Sequence, residues 1–144
     1  MNASESDAVI FAGNGTTGAV HALVSALDFG PDDDVTVIVS PQEHHSNQLP
    51  WRNLPRSRVV VVAEHPHTGQ IDLQDLERIL REESTSSTTL IGCFSAASNV
   101  SGVMNDDLSV TALVRSYGGL AFWDYATAAP YVHVNVNPRV SAHL

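Results

Sequence analysis

Short, uninterrupted apolar runs alternate along this chain with segments whose apolar residues recur every three to four positions, and glycines or polar loops separate the two kinds. Residues 9–12 (Val-Ile-Phe-Ala) are the first run, closed by Gly13. Val20, Leu23, Val24 and Leu27 then follow the i, i+3, i+4, i+7 spacing of a helix. After the Gly30-Pro31 break and an acidic loop at 32–34, residues 35–40 alternate too little for a half-exposed strand. Such a run predicts a strand buried on both faces. Residues 59–63 are the third run. A helix is expected to start near Asp72, with Asp75 three residues on and Leu73, Leu76 and Leu80 along one face. A serine and threonine connection at 84–89 leads into a fourth strand at 90–94, and the loop 95–105 follows. Asp106 or Asp107 can cap a helix carrying Val110, Leu113, Val114 and Tyr117, which Gly118-Gly119 ends before a strand at 120–123. This order predicts an α/β fold, a mostly parallel sheet flanked by helices, whose ligands sit beyond the carboxyl ends of the strands. The chain has no internal repeat, heptad or low-complexity tract.

Its 144 residues suffice for one core, so residues 1–144 are expected to form a single domain or part of one. With 43% hydrophobic and 16% charged residues the composition lies outside the disordered range. A net charge of -9 repels nucleic acid and anionic membrane alike, which argues against either as a partner. Cys93 is the only cysteine, so neither an intramolecular disulfide nor a cysteine-based zinc site can form. The N-terminus lacks the basic start and apolar core of a secretory signal, and no stretch approaches the ~20 apolar residues of a membrane span. A cytoplasmic protein is expected.

Every polar motif of note lies where a predicted strand ends. Gly13-Asn14-Gly15-Thr16-Thr17-Gly18 matches G-x-G-x-x-G between a strand and a helix. Free backbone N–H groups at a helix start, with the helix dipole behind them, bind phosphate whichever cofactor carries it, and Thr16 and Thr17 add hydroxyls. The nicotinamide reading of this motif also wants an acid closing the second strand; that strand ends in Ser40-Pro41-Gln42, with Glu43 late. Next comes Glu43-His44-His45-Ser46-Asn47, where an imidazole can cover a ring face. Asn99, in Ser98-Asn99-Val100-Ser101-Gly102, can bond a ring oxygen or cap a turn. Asp124 closes the apolar run 120–123 and needs a cationic partner if buried: an arginine, or a protonated pyridine nitrogen whose pKa it would raise. Together these groups suit a flat, aromatic, phosphorylated cofactor, pyridoxal 5'-phosphate. Cys93, inside a predicted strand, reads as a buried, inert thiol. His65 and His67 flank Pro66 in a loop and make a poor metal pair, and no serine lies in G-x-S-x-G.

In this order and spacing the motifs resemble the class V aminotransferase and cysteine desulfurase family of fold-type-I pyridoxal-phosphate enzymes, over roughly residues 9–138. The resemblance implies that Gly15, Thr16 and Thr17 hold the phosphate, that His44 stacks on the ring, with His45 as the alternative, that Asn99 reaches the ring hydroxyl oxygen and that Asp124 bonds the pyridine nitrogen. His44 and Asp124 would then carry the catalytic roles, the substrate would be an amino acid, and complete relatives would be homodimers.

Three departures accompany the likeness. The chain has seven arginines and no lysine, so the family's covalent anchor, expected some two dozen residues beyond the aspartate, is not in these residues. Thr127 stands where desulfurases commonly carry glutamine in D-G-A-Q, leaving both its cofactor contact and the substrate open. Cys93 does not correspond to the desulfurase cysteine. The expectation is the central part of a large cofactor domain, inactive alone. A nicotinamide-binding module and a non-catalytic remnant are the alternatives.

Overall fold

A computed structural model of the chain describes residues 2–85 and 87–138. Four strands, β1 (Asp34–Val39), β2 (Ser57–Val61), β3 (Thr88–Ser95) and β4 (Leu120–Asp124), form one parallel sheet in the order β2-β1-β3-β4. Helices α1 (Gly15–Ala26), α2 (Leu49–Arg52), α3 (Leu73–Glu83) and α4 (Asp107–Ser116) cover both faces.

The two central strands are apolar almost without interruption because each side chain faces a helical layer. In β1, Val35, Val37 and Val39 pack with Val20 of α1 and Trp51 of α2, while Ile38 joins Leu76, Ile79 and Leu80 of α3. β3 divides likewise, Ile91 and Cys93 toward α1 and Leu90 and Phe94 toward α3 and α4. Burial on both faces is what the missing alternation of residues 35–40 had implied.

Capping follows the sequence for α4, whose N-cap is Asp106, its carboxylate accepting the Ser109 N–H at 3.1 Å. At α3, Asp72 caps by accepting from the N–H groups of Gln74 and Asp75. Asp75 does not reach back to complete a capping box. Its carboxylate takes the Ala63 N–H (2.8 Å) and Arg78 instead, tying the helix start to the segment after β2.

The strand expected at residues 9–12 is not formed. Val9, Ile10 and Phe11 belong to no strand or helix, and Phe11 is 97% exposed. A strand exists only where another backbone meets its N–H and C=O groups, and neither sheet edge among the described residues reaches this segment. Conversely, the turn of helix α2 carries no periodic signal over its four residues, yet it buries Pro50 and Trp51.

The connections run in opposite directions around the sheet. From β1 the chain moves outward to β2, and from β3 it moves the other way to β4. The loops after β1 and β3 therefore diverge and open a crevice at the carboxyl edge, the position where open α/β sheets receive ligands.

Candidate cofactor site

A cavity of about 230 Å³ occupies that crevice. Thr16 and Thr17 line it from the first turn of α1, His44 and Ser46 from the loop after β1, and Ser95, Ala97 and Asn99 from the end of β3 and its loop. Asp124, Ala126 and Thr127 complete the wall. Six of the seven residues singled out in the sequence thus face one space. Gly15 is not in its wall; it opens the helix behind.

The α1 end of the cavity is built by a tight turn. Asn14 and Gly15 both adopt left-handed backbone, φ 66° and 64°, which swings the chain directly into the helix. Gly18 packs against that turn so closely that a Cβ there would overlap the Gly13 carbonyl oxygen. The Asn14 side chain makes no capping bond, so the first N–H groups of α1, which have no partner within a helix, remain open to an anion.

His44 is held by a local device. Its Nδ1 accepts the Ser46 N–H at 3.2 Å and lies 2.8 Å from the Ser46 hydroxyl. His45 points elsewhere, its ring centroid 6.2 Å away and tilted by 47°, and it does not line the cavity.

On the far wall, β4 is pinned through both faces. Phe122 stacks on Trp51 at 6.4 Å, and Trp123 packs on Phe94 at 5.5 Å while its indole N–H donates to the Thr111 hydroxyl at 2.8 Å. Asp124 follows these anchors and stands in register with Ser95. One carboxylate oxygen, Oδ1, accepts the Ala126 N–H at 2.8 Å, closing the turn that brings Ala126 and Thr127 to the cavity. Among the described residues no arginine pairs with Asp124, and Oδ2 receives no donor. A half-buried carboxylate with an open oxygen suits a cationic N–H, the kind of group a protonated pyridine presents.

Asn99 stands exposed at the tip of a loop closed by Ser98, whose hydroxyl accepts from the N–H groups of Val100 and Ser101, both at 3.2 Å. The lone thiol belongs to the layer beneath. Burial pushes Cys93 up to about 12, and its S–H donates to the Asn47 Oδ1 at 2.9 Å. Among the described residues no three His, Cys, Asp or Glu side chains cluster to hold a metal ion, His65 and His67 included. None of their helices is long and apolar enough to cross a membrane.

Sequence reasoning passed over Ser46, Ser95, Ala97 and Ala126. The serines lie inside or beside the motifs, but nothing in a hydroxyl's spacing tells which side of a loop it faces. Glu43 is the acid nearest the position at which the nicotinamide reading wants a ribose ligand. Its two oxygens are already occupied, by Ser40 and Ser95 on Oε1 and by Asn47 and Ser95 on Oε2. That occupancy, and the absence among the described residues of a strand before the glycine motif, disfavour the nicotinamide reading.

The family model for aminotransferase class-V matches residues 1–139. The chain belongs to the class-V aminotransferase family. Relatives of this class-V chain include proteins named probable cysteine desulfurase from Halalkalibacterium halodurans, 26% identical over 94% of this chain and 33% of the relative, and from Borreliella burgdorferi, 29% identical over 94% and 32%. The class-V chain thus spans about a third of the length of these curated relatives. In fold it matches a NifS-like protein from Rickettsia africae with a TM-score of 0.66 at 21% identity, over 84% of this chain and 31% of that one. Mouse CSAD matches with a TM-score of 0.63 at 16% identity, over 83% and 28%. At these identities both likenesses are of fold, and they agree with the helix-flanked parallel sheet described above.

Proposed function

We propose that this chain is the central part of a pyridoxal-phosphate-dependent class-V enzyme and that its cavity holds pyridoxal 5'-phosphate. The observation that carries the reading is the convergence of Thr16, Thr17, His44, Asn99, Asp124 and Thr127 on one cavity at the carboxyl edge of the sheet. The hydroxyls of Thr16 and Thr17 and the N–H groups beginning at Asn14 and Gly15 bind the phosphate. His44 covers one face of the pyridine ring, Asn99 donates to the ring hydroxyl oxygen, and Asp124 Oδ2 accepts the pyridinium N–H and keeps that nitrogen protonated. Thr127 supplies a hydroxyl on the same wall. When bound, the cofactor supplies an electron sink for bonds at the α-carbon of an amino-acid substrate.

Membership in the family supports an amino-acid as the substrate class, and a homodimer in a cytoplasmic setting is the assembly we propose for the complete enzyme. With no lysine in its 144 residues the chain has no covalent anchor of the family's kind, so it holds the cofactor reversibly and is inactive alone. Titration with pyridoxal 5'-phosphate, followed by its near-ultraviolet absorption, tests this. A saturable change with Kd of about 0.1 mM, roughly −5.5 kcal/mol, is expected. An unchanged spectrum at millimolar cofactor, or tighter binding of NAD, overturns it.

A further inference from the structure

We infer that Glu43 is a positioning residue, which fixes the His44 ring over the cavity by bolting its loop to the end of β3. The inference rests on the cofactor reading above and assigns a task to the one acid of the Glu-His-His motif that this reading leaves idle.

His44 has little of its own to hold it. Its ring is exposed and bonds only to Ser46, two residues away within the same loop. Where the ring stands is therefore decided by the backbone on either side, at Glu43 and at Asn47. Both of these side chains turn inward. Glu43 Oε1 accepts the Ser40 hydroxyl (2.6 Å) and the Ser95 N–H (2.8 Å), and Oε2 accepts the Asn47 Nδ2 (2.7 Å) and the Ser95 hydroxyl (2.6 Å). A carboxylate has about four acceptor sites, and here all are filled.

The donors come from the base of the loop, from its far end and from the last residue of β3. One side chain thus clamps both ends of the loop to the strand. Ser95 is also the register partner of Asp124, so the clamp links the wall that carries the imidazole to the wall that carries the acid. The network continues inward on both sides. Asn47, 2% exposed, accepts the Cys93 S–H, and the Ser95 carbonyl oxygen accepts from Asn105, whose own Oδ1 takes the Ile71 N–H at 2.9 Å. A chain of satisfied buried bonds of this kind holds geometry tightly, and a small displacement of a ring-stacking group is costly to binding.

The test exploits the paired amide and carboxylate. Glu43→Gln turns an NH₂ group toward the Asn47 amide; Asn47→Asp places two carboxylates together; the double variant restores one donor and one acceptor with the partners exchanged. Pyridoxal phosphate affinity, His44 ¹H–¹⁵N ring signals and thermal midpoints are measured for all four proteins. Glu43→Gln is expected to shift the His44 ring signals and weaken binding by ~tenfold or more, out of proportion to any change in midpoint, and the double variant to recover both readouts. Unchanged His44 signals in Glu43→Gln overturn the inference, as does a loss that tracks the thermal midpoint and is not recovered by the double variant. If the unaltered protein fails to bind the cofactor, the functional reading falls, whereas the His44 signals of the four proteins still decide whether Glu43 positions the ring.

Discussion

Replacing Asp124 by asparagine separates the two jobs that this carboxylate does. Oδ1 accepts the Ala126 N–H at 2.8 Å and closes a turn; Oδ2 has no protein donor, and the residue lines the cavity. An asparagine keeps a carbonyl oxygen for Ala126, so the turn survives and the fold should lose little. At the Oδ2 position it sets an NH₂ group against the pyridinium N–H, donor against donor. A hydrogen bond to a charged group is worth about 1.5–3 kcal/mol, which converts to roughly a 10- to 150-fold loss of pyridoxal phosphate affinity. Asp124→Ala should add about 1 kcal/mol of destabilisation, because it removes the turn bond as well. The assay is a cofactor titration by absorption beside a thermal melt for each variant. Equal affinity in Asp124→Asn and the unaltered protein would refute the assignment of Oδ2 to the ring nitrogen, and a collapsed melt would refute the division of labour between the two oxygens.

Three further outcomes are expected. Gly18→Ala forces a methyl into the Gly13 carbonyl, so the turn must shift at a cost of about 1–3 kcal/mol, with weaker competition by inorganic phosphate against the cofactor as the readout. Asp106→Ala removes the α4 cap, costing about 1 kcal/mol and about 3 °C in melting temperature. The Ser109 hydroxyl and N–H hold the Asp106 carboxyl below the ordinary carboxylate range, so this contribution is complete above about pH 4 and fades as pH falls through the lowered value; the variant's deficit should shrink in acid melts. Cys93, buried and pushed up to about 12, should resist alkylation in the native protein and react readily in urea, and rapid native labelling would show the core around Asn47 to be open.

Much of this molecule can be read from its chain because parallel strands announce themselves. The doubly buried β1 and β3, the α4 cap at Asp106 and the stop at Gly118 all follow from local chemistry that tertiary contacts do not override. Residues 9–12 show the limit. An apolar run reports the tendency to pair, while pairing itself depends on a neighbouring backbone that no local window contains. Asp75 teaches the same lesson at side-chain scale: its spacing suits a capping box, but the Ala63 N–H, 12 residues earlier, claims it. Among the site residues, helix-start threonines and a strand-end aspartate were accessible because their secondary structure dictates where they point. Glu43 was not, since both of its oxygens are committed to partners up to 52 residues away.

The most direct test of the cofactor assignment is chemical-shift mapping of the ¹⁵N-labelled protein during addition of pyridoxal 5'-phosphate. Saturable shifts should concentrate on the amides of Thr16 and Thr17, the His44 ring, the Asn99 side chain and the turn after Asp124. No saturable shift, or shifts centred away from the carboxyl edge of the sheet, would contradict the assignment.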